Sequence, residues 1–268
     1  MKHPRSYLFV PGHRHDRFAK AAASGADAII LDLEDAVGPE AKDEARAHVR
    51  TWFAEGGQGL VRINGAGTPW HQDDLDALAA LPAVAVMVPK AEPDAVAHVA
   101  AHLHGRPLIA LVETVAGLAG LRDTVRLDGV ERVAFGNLDF GADARIPEGG
   151  PVLDPARFEL VLASRLGGLA PPIDGVTTEL KDADVIAGDV VRGRAMGFGA
   201  KLCIHPAQVS RVNDGFAPTP TEIDWAQRIL AALDAAAGSV VQLDGKMVDR
   251  PLIDRAQQIL QDADAASP

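Results

Sequence analysis

Eight apolar runs of strand length, residues 7–10, 28–33, 60–63, 85–89, 108–112, 133–136, 173–176 and 201–204, alternate along the chain with Ala-rich amphipathic stretches such as 39–53 and 155–169. This is the pattern of parallel strands joined by crossover helices, whose strands are covered on both faces and therefore read as unbroken apolar runs. Most of the runs lead directly into Gly, Pro, Asn or a charged residue. Eight such β/α units predict a closed TIM (β/α)8 barrel. An open doubly wound sheet has the same rhythm. It lacks support after the first run, where Val10 leads into Pro11-Gly12-His13-Arg14 rather than a glycine-rich phosphate turn.

The 268 residues suit one barrel domain, expected at 1–215, and leave an extension, 216–268, that barrel closure does not require. Within the extension Thr219-Pro220-Thr221-Glu222 reads as a helix start, with Thr219 as N-cap, Pro220 at the first position and Glu222 at the third. That helix is expected to run to about Ala237, followed by a short β-like run at 239–243, a turn at 245–249 and a last helix at 250–263. Hydrophobic and charged contents of 47% and 24% are those of a soluble globular protein. The formal charge of -11 argues against a nucleic-acid partner, yet leaves room for an anionic small molecule wherever basic residues cluster. The single cysteine, Cys203, excludes an internal disulfide and a multi-cysteine metal site, and reads as a small buried hydrophobe. The first apolar run is too short for a signal-peptide core and no segment has the length of a membrane span, so the expected compartment is the cytoplasm.

In a barrel of this kind the site is built from what stands at the C-terminal ends of the strands. The second run delivers Asp32, Glu34 and Asp35; the third Arg62 and Asn64; the fourth Lys90 and Glu92; the fifth Glu113; the sixth Asn137, Asp139 and Asp143; the eighth His205. Glu113 and Asp139 fall on adjacent strands. Two carboxylates suit Mg²⁺, which keeps waters and takes further ligands from substrate, and salt-bridged or capping carboxylates are the alternative. Arg62 ends an apolar strand and needs an anion, either a strand-two acid or a substrate carboxylate or enolate. His205, before Pro206, is read as a helix-start histidine ahead of a catalytic base, and Lys90 as a structural ion pair ahead of a Schiff-base lysine. Arg5, His13, Arg14, His15, Arg17 and Lys20 make a basic cluster in an acidic chain, readable as a phosphate patch or as a solvated face.

R-S-Y-L-F-V-P-G, L-D-L-E-D-A-V, V-R-I-N-G, P-K-A-E, V-E-T, F-G-N-L-D-F and K-L-C-I-H-P-A-Q-V, in that order and over nearly the whole chain, resemble the citrate lyase β-subunit-like family. This is the CoA-thioester lyase branch of the HpcH/HpaI superfamily. The resemblance implies a TIM barrel, trimeric or built from trimers, that uses Mg²⁺ to make or break a C–C bond beside a CoA thioester. Carried over, the metal carboxylates fall on Glu113 and Asp139, and Arg62 matches the arginine that binds the keto acid and stabilises the thioester enolate. The tail motif G-K-M-V-D-R-P resembles the segment that gives an acid or base aspartate to an adjacent subunit's site, here Asp249. Asp35 stands where the aldolase branch carries the histidine of D-x-E-H, which favours the CoA branch; it is expected to hold a water of the ion's shell, with Asp32 and Glu34 orienting Arg62 or neighbouring loops. Arg5, Arg14, Arg17, Lys20 and Gly136 join Arg62 as expected substrate and CoA contacts. Asn137 departs from relatives that carry Glu or another residue before the ligand.

The expected function is therefore a Mg²⁺-dependent lyase that splits a 3-hydroxyacyl-CoA of the malyl or citramalyl type into acetyl-CoA and a 2-keto acid. The alternatives are a CoA-independent pyruvate-type aldolase and the lyase subunit of a citrate lyase complex.

Overall fold

The computed structural model describes residues 3–180, 182–235, 242–243 and 246–266. Strands β1 (Ser6–Pro11), β2 (Ala28–Asp32), β3 (Leu60–Arg62), β4 (Ala85–Val88), β5 (Leu108–Val112), β6 (Val130–Phe135), β7 (Ile173–Asp174) and β8 (Ala200–Cys203) pair in sequence order, and β8 pairs back to β1 in parallel. The sheet is thus a closed barrel, and the open doubly wound alternative is excluded. The helices are α1 (Phe18–Ala22), α2 (Lys42–Ala54), α3 (His71–Ala79), α4 (Pro93–His102), α5 (Val115–Ala119), α6 (Leu121–Thr124), α7 (Asn137–Ala144), α8 (Asp154–Leu166), α9 (Ala183–Met196), α10 (Val209–Phe216), α11 (Pro220–Ala235) and α12 (Arg250–Ala266).

Every barrel strand contributes to one buried cluster, which includes Tyr7, Ile30, Leu60, Met87, Leu111, Ala134, Ile173 and Leu202. Side chains alternate across a strand, so Asp32 two residues beyond Ile30, Arg62 two beyond Leu60, and Glu113 two beyond Leu111 continue the same inward rows. The rows are apolar in the barrel's middle and turn polar at its C-terminal end. Helix α2 shows the outer layer's logic: Ala45, Val49 and Phe53 recur at helical spacing and are all buried.

Two strands differ from the sequence expectation by more than one residue at an end. Strand β6 begins at Val130 rather than at residue 133, because Glu131 and Arg132 interrupt its apolar pattern. A register irregularity against β5 at Leu108/Ile109 skips Glu131 and leaves it exposed, while Arg132 is buried and held by the carbonyls of Pro4 and Pro171 and by the Tyr7 hydroxyl. Strand β7 is cut to Ile173–Asp174.

Residues Pro4–Asn213 form one compact unit, and Asp214–Pro268 belong to a second. In the second, α11 and α12 pack through Ala226, Ile229 and Ala256. The start of α11 is the reciprocal capping box read from the sequence: Glu222 N–H donates to Thr219 Oγ1 at 3.2 Å and Thr219 N–H to Glu222 Oε2 at 2.8 Å. A two-stranded antiparallel pair, β9 (Gln242–Leu243) and β10 (Lys246–Met247), precedes α12. Residues 236–241 and Gly245, which the expected helix end, β-like run and turn include, lie outside the described residues.

Ile30 is fully buried in the barrel interior. Ile30→Ala is expected to lower the unfolding free energy by about 2–5 kcal/mol through the cavity it leaves, measured by urea denaturation with an unchanged slope.

Candidate active site

Strands β2 and β3 meet with Asp32 directly beside Arg62 in the ladder. Arg62 donates to Asp32 through Nε and Nη2, both at 2.7 Å, a two-pronged pair. Asp32 has no capacity left for a ligand, because its two oxygens also accept the backbone N–H groups of Glu34 at 3.0 Å and Ala36 at 3.1 Å. It therefore shapes the turn that follows its strand. The third guanidinium nitrogen, Nη1, lies 3.0 Å from Glu34 Oε2 as a charge contact without hydrogen-bond alignment, and 3.9 Å from Asp35. The Phe9 ring lies 4.8 Å from the guanidinium carbon. Burial works against the Arg62 charge, but Asp32 and Glu34 hold its pKa well above the ordinary arginine value.

Glu113 directly follows β5, and only 1% of its surface is exposed. Its Oε1 accepts the Lys90 N–H at 2.8 Å. Lys90 adopts a left-handed backbone with φ 46°, a strained conformation for a lysine. The Lys90 ammonium reaches Glu34 Oε1 at 2.7 Å, the ion pair expected for it. Burial pushes the Glu113 carboxyl up to about 8, with Glu34 and Asp139 adding like-charge repulsion against the pull of Arg62. Burial also raises Glu34, opposed by Arg62 and Lys90.

Gly136 follows β6 next to Glu113, because Val112 and Phe135 are ladder partners. A Cβ at Gly136 would stand 2.5 Å from Glu113 Cβ and 2.7 Å from Glu113 Oε2. The glycine in F-G-N-L-D-F therefore leaves room for the carboxylate. Asp139 sits in the first turn of α7, exposed to solvent. Among the described residues no three His, Cys, Asp or Glu side chains form a metal cluster. Glu113 and Asp139 are near enough for the Asp139 charge to act on Glu113, and two carboxylates are donors of the kind a hard cation takes, with its other positions open to water and substrate. Thr114 caps α5 by accepting the Gly117 N–H at 2.9 Å, and Asp143 accepts the Val115 N–H at 2.7 Å, which fixes the turn after Glu113.

The other expected residues divide. Asp35 is exposed at the edge of the Arg62 cluster. Arg14 and Arg17 lie just after β1, but Arg14 is engaged by Asp16 through two bonds of 2.9 and 2.8 Å. Arg17 and Lys20 are exposed. Arg5 does not belong with them: it precedes β1 at the opposite, N-terminal end of the barrel and is tied there to Asp27. His205 accepts the Ala207 N–H at 3.1 Å, the helix-start role read from Pro206. Asn137 is buried, donating to Glu148 C=O at 2.9 Å and accepting the Val176 N–H at 2.8 Å, so it joins the loops after β6 and β7. Asp249 is exposed in the second unit, with Oδ1 accepting the Leu252 N–H at 3.3 Å.

Lys42, which is 4% exposed, is not among the residues expected at the strand ends. Its signal was present: residue 42 shares the helical spacing of Ala45, Val49 and Phe53, so a lysine stands on an apolar face. Asp174, Arg157 and Lys201, also outside that expectation, form a buried ion cluster in which Arg157 Nε donates to Asp174 at 2.8 Å and Lys201 Nζ donates to Gly175 C=O at 2.6 Å. Lys201 is the one charged residue of the apolar strand β8.

Residues 5–206 match the family model described as HpcH/HpaI aldolase/citrate lyase. A citrate lyase subunit beta-like protein of Deinococcus radiodurans is 38% identical over 278 residues, covering 96% of each chain. A (3S)-malyl-CoA thioesterase of Cereibacter sphaeroides is 35% identical over 279 residues, covering 98% of this chain and 96% of the other. Among solved structures, protein CitE of Mycobacterium tuberculosis in complex with magnesium, acetoacetate and coenzyme A superposes with a TM-score of 0.85 at 32% identity, covering 97% of this chain and 98% of that one. The chain belongs to the HpcH/HpaI aldolase/citrate lyase family and is a lyase of it.

A carboxyl held near 8 instead of 4.5 keeps a proton that the unfolded chain has already released between those values. Unfolding then releases a proton, so stability of the metal-free protein falls as pH rises from about 4.5 to about 8. Urea denaturation at stepped pH is expected to show that slope, and Glu113→Gln to flatten it; an unchanged slope in the variant would contradict the assignment.

Proposed function

We propose that the chain is a Mg²⁺-dependent lyase that splits a 3-hydroxyacyl-CoA of the malyl or citramalyl type into acetyl-CoA and a 2-keto acid. The observation that carries the reading is Glu113, a buried carboxylate crowded by Glu34 and Asp139 and facing a guanidinium already neutralised by Asp32. A divalent cation relieves that crowding and a neutral ligand does not. Its likeness to a CitE structure holding magnesium, acetoacetate and coenzyme A supports the ligand class.

On this reading Glu113 and Asp139 hold the ion. When bound, Mg²⁺ supplies Lewis-acid polarisation of the substrate's hydroxyl and carboxylate oxygens. Arg62 has two nitrogens committed to Asp32, so Nη1 is the one that faces the developing thioester enolate, and Glu34 contacts that nitrogen without taking it in an aligned hydrogen bond. Lys90 keeps Glu34 paired. Asp35, at the exposed edge of the cluster, holds a water at the mouth, and Arg14, Arg17 and Lys20 after β1 offer charge to the CoA phosphates. A general base takes the hydroxyl proton as the C–C bond breaks, and Asp249 of an adjacent subunit, carrying a proton, gives it to the enolate carbon, in a homotrimer or a multiple of trimers working in the cytoplasm.

Likeness to a protein named (3S)-malyl-CoA thioesterase favours one second reading, hydrolysis of the thioester. Incubating the purified protein and Mg²⁺ with malyl-CoA, citramalyl-CoA and the free hydroxy acids separates the possibilities. Acetyl-CoA with a 2-keto acid supports the lyase, free CoA with a hydroxy diacid supports hydrolysis, and turnover of free acids alone supports a CoA-independent aldolase.

Arg62→Lys is expected to lower kcat by roughly a hundredfold or more, because an ammonium cannot span Asp32 and the enolate together. Asp249→Asn is expected to lower kcat by roughly a hundredfold with unchanged Tm, since the side chain is exposed. Full activity in Asp249→Asn would remove it from proton transfer.

A further inference from the structure

Lys42 has no part in the proposed reaction, yet two physical costs attend it. It stands at the first position of α2, where the helix dipole disfavours a cation, and it is buried, where an ammonium loses its hydration. Among the described residues no carboxylate is within ion-pair reach of it. Its Nζ instead donates to Leu33 C=O at 2.6 Å, Glu34 C=O at 2.7 Å and Asn64 Oδ1 at 2.6 Å, three acceptors for three N–H bonds. The Trp70 ring lies 5.0 Å away.

The acceptors fall on two loops of the site. Leu33 and Glu34 belong to the acidic turn after β2, and Asn64 to the loop after Arg62. Asn64 is itself immobilised: its N–H and Nδ2 donate to Asp74 Oδ2 at 2.8 and 2.6 Å, and its carbonyl lies 2.8 Å from His71 Nδ1. Asp74 is held in turn by Arg46 at 3.0 Å. Lys42 thus connects a fixed frame on α3 to the backbone of the turn that presents Glu34.

We propose that Lys42 is a positioning residue for this active site: it fixes the Leu33–Glu34 backbone so that the Glu34 carboxylate sits between Arg62 and Lys90 and leaves Nη1 of Arg62 aimed at substrate. The inference rests on the lyase reading for its catalytic consequence, and on geometry alone for its local one. Methionine at this position roughly keeps the volume and removes the three donors, leaving the Leu33 and Glu34 carbonyls and Asn64 Oδ1 without the ammonium.

Full-length Lys42→Met is compared with wild type and with Ile186→Ala, a buried change in α9, outside the β2 and β3 loops, that also lowers stability. The expected result is kcat lower by roughly tenfold or more, KM within about threefold of wild type, and Ile186→Ala retaining wild-type kcat. Hydrogen exchange is expected to rise at residues 33–36 and 63–66 in Lys42→Met and not elsewhere in the barrel. Wild-type kcat in Lys42→Met would overturn the inference while leaving the lyase standing. If the wild-type enzyme turns over no thioester, the lyase reading falls, and exchange alone decides: a rise confined to the two loops supports the placement, and a global or absent rise overturns it. Should Lys42→Met fail to fold, Asn64→Ala, which removes one acceptor of the ammonium together with the Nδ2 bond to Asp74, is subjected to the same comparison.

Discussion

A guanidinium at the end of a closed apolar barrel has to be neutralised in place, and the arrangement of the mouth follows from how Arg62 meets that demand. Asp32 lies beside it in the parallel ladder and takes two of its nitrogens, while the same carboxylate closes the next turn by accepting two backbone N–H groups. That turn delivers Glu34 to the third nitrogen, and Lys90 balances Glu34 from the other side. Breaking such a buried pair by removing one partner is far costlier than the pair's net contribution, so the cluster constrains the site more than it stabilises the fold. Glu113 is left buried with Glu34 close by, and that burial, with Glu34's like charge added, is what holds its proton so tightly against the pull of Arg62.

The barrel contributes this arrangement through parity and register. Inward rows that are apolar at Ile30, Leu60 and Leu111 become Asp32, Arg62 and Glu113 two residues later, so the same alternation builds the core and charges the mouth. Gly136 completes it, because register places residue 136 against Glu113 where a Cβ would collide. The strained Lys90 backbone aims an N–H at the same carboxylate.

Much of this was legible in the residues. The eight apolar runs mark parallel strands covered on both faces, their number matches closure of a barrel, and the position of Glu113 and Arg62 directly at strand ends marks them as mouth residues. Strand β6 was misplaced at its start because a register irregularity lets Glu131 point outward beside the buried Arg132, which breaks the apolar signal. Arg5 looked like a neighbour of Arg14 because both flank the same short strand; the strand's own length puts them at opposite ends of it. Lys42 escaped because its partners are two backbone carbonyls and an amide, groups that leave no complementary charge in the sequence to search for.

The most direct measurement is the electron density of crystals grown with Mg²⁺, a 2-keto acid such as pyruvate or glyoxylate, and CoA. The account predicts an ion ligated by Glu113 and Asp139, with the keto acid completing its shell and an Arg62 nitrogen toward the thioester. An ion bound away from both carboxylates, or a keto acid bound with no ion at all, would contradict it.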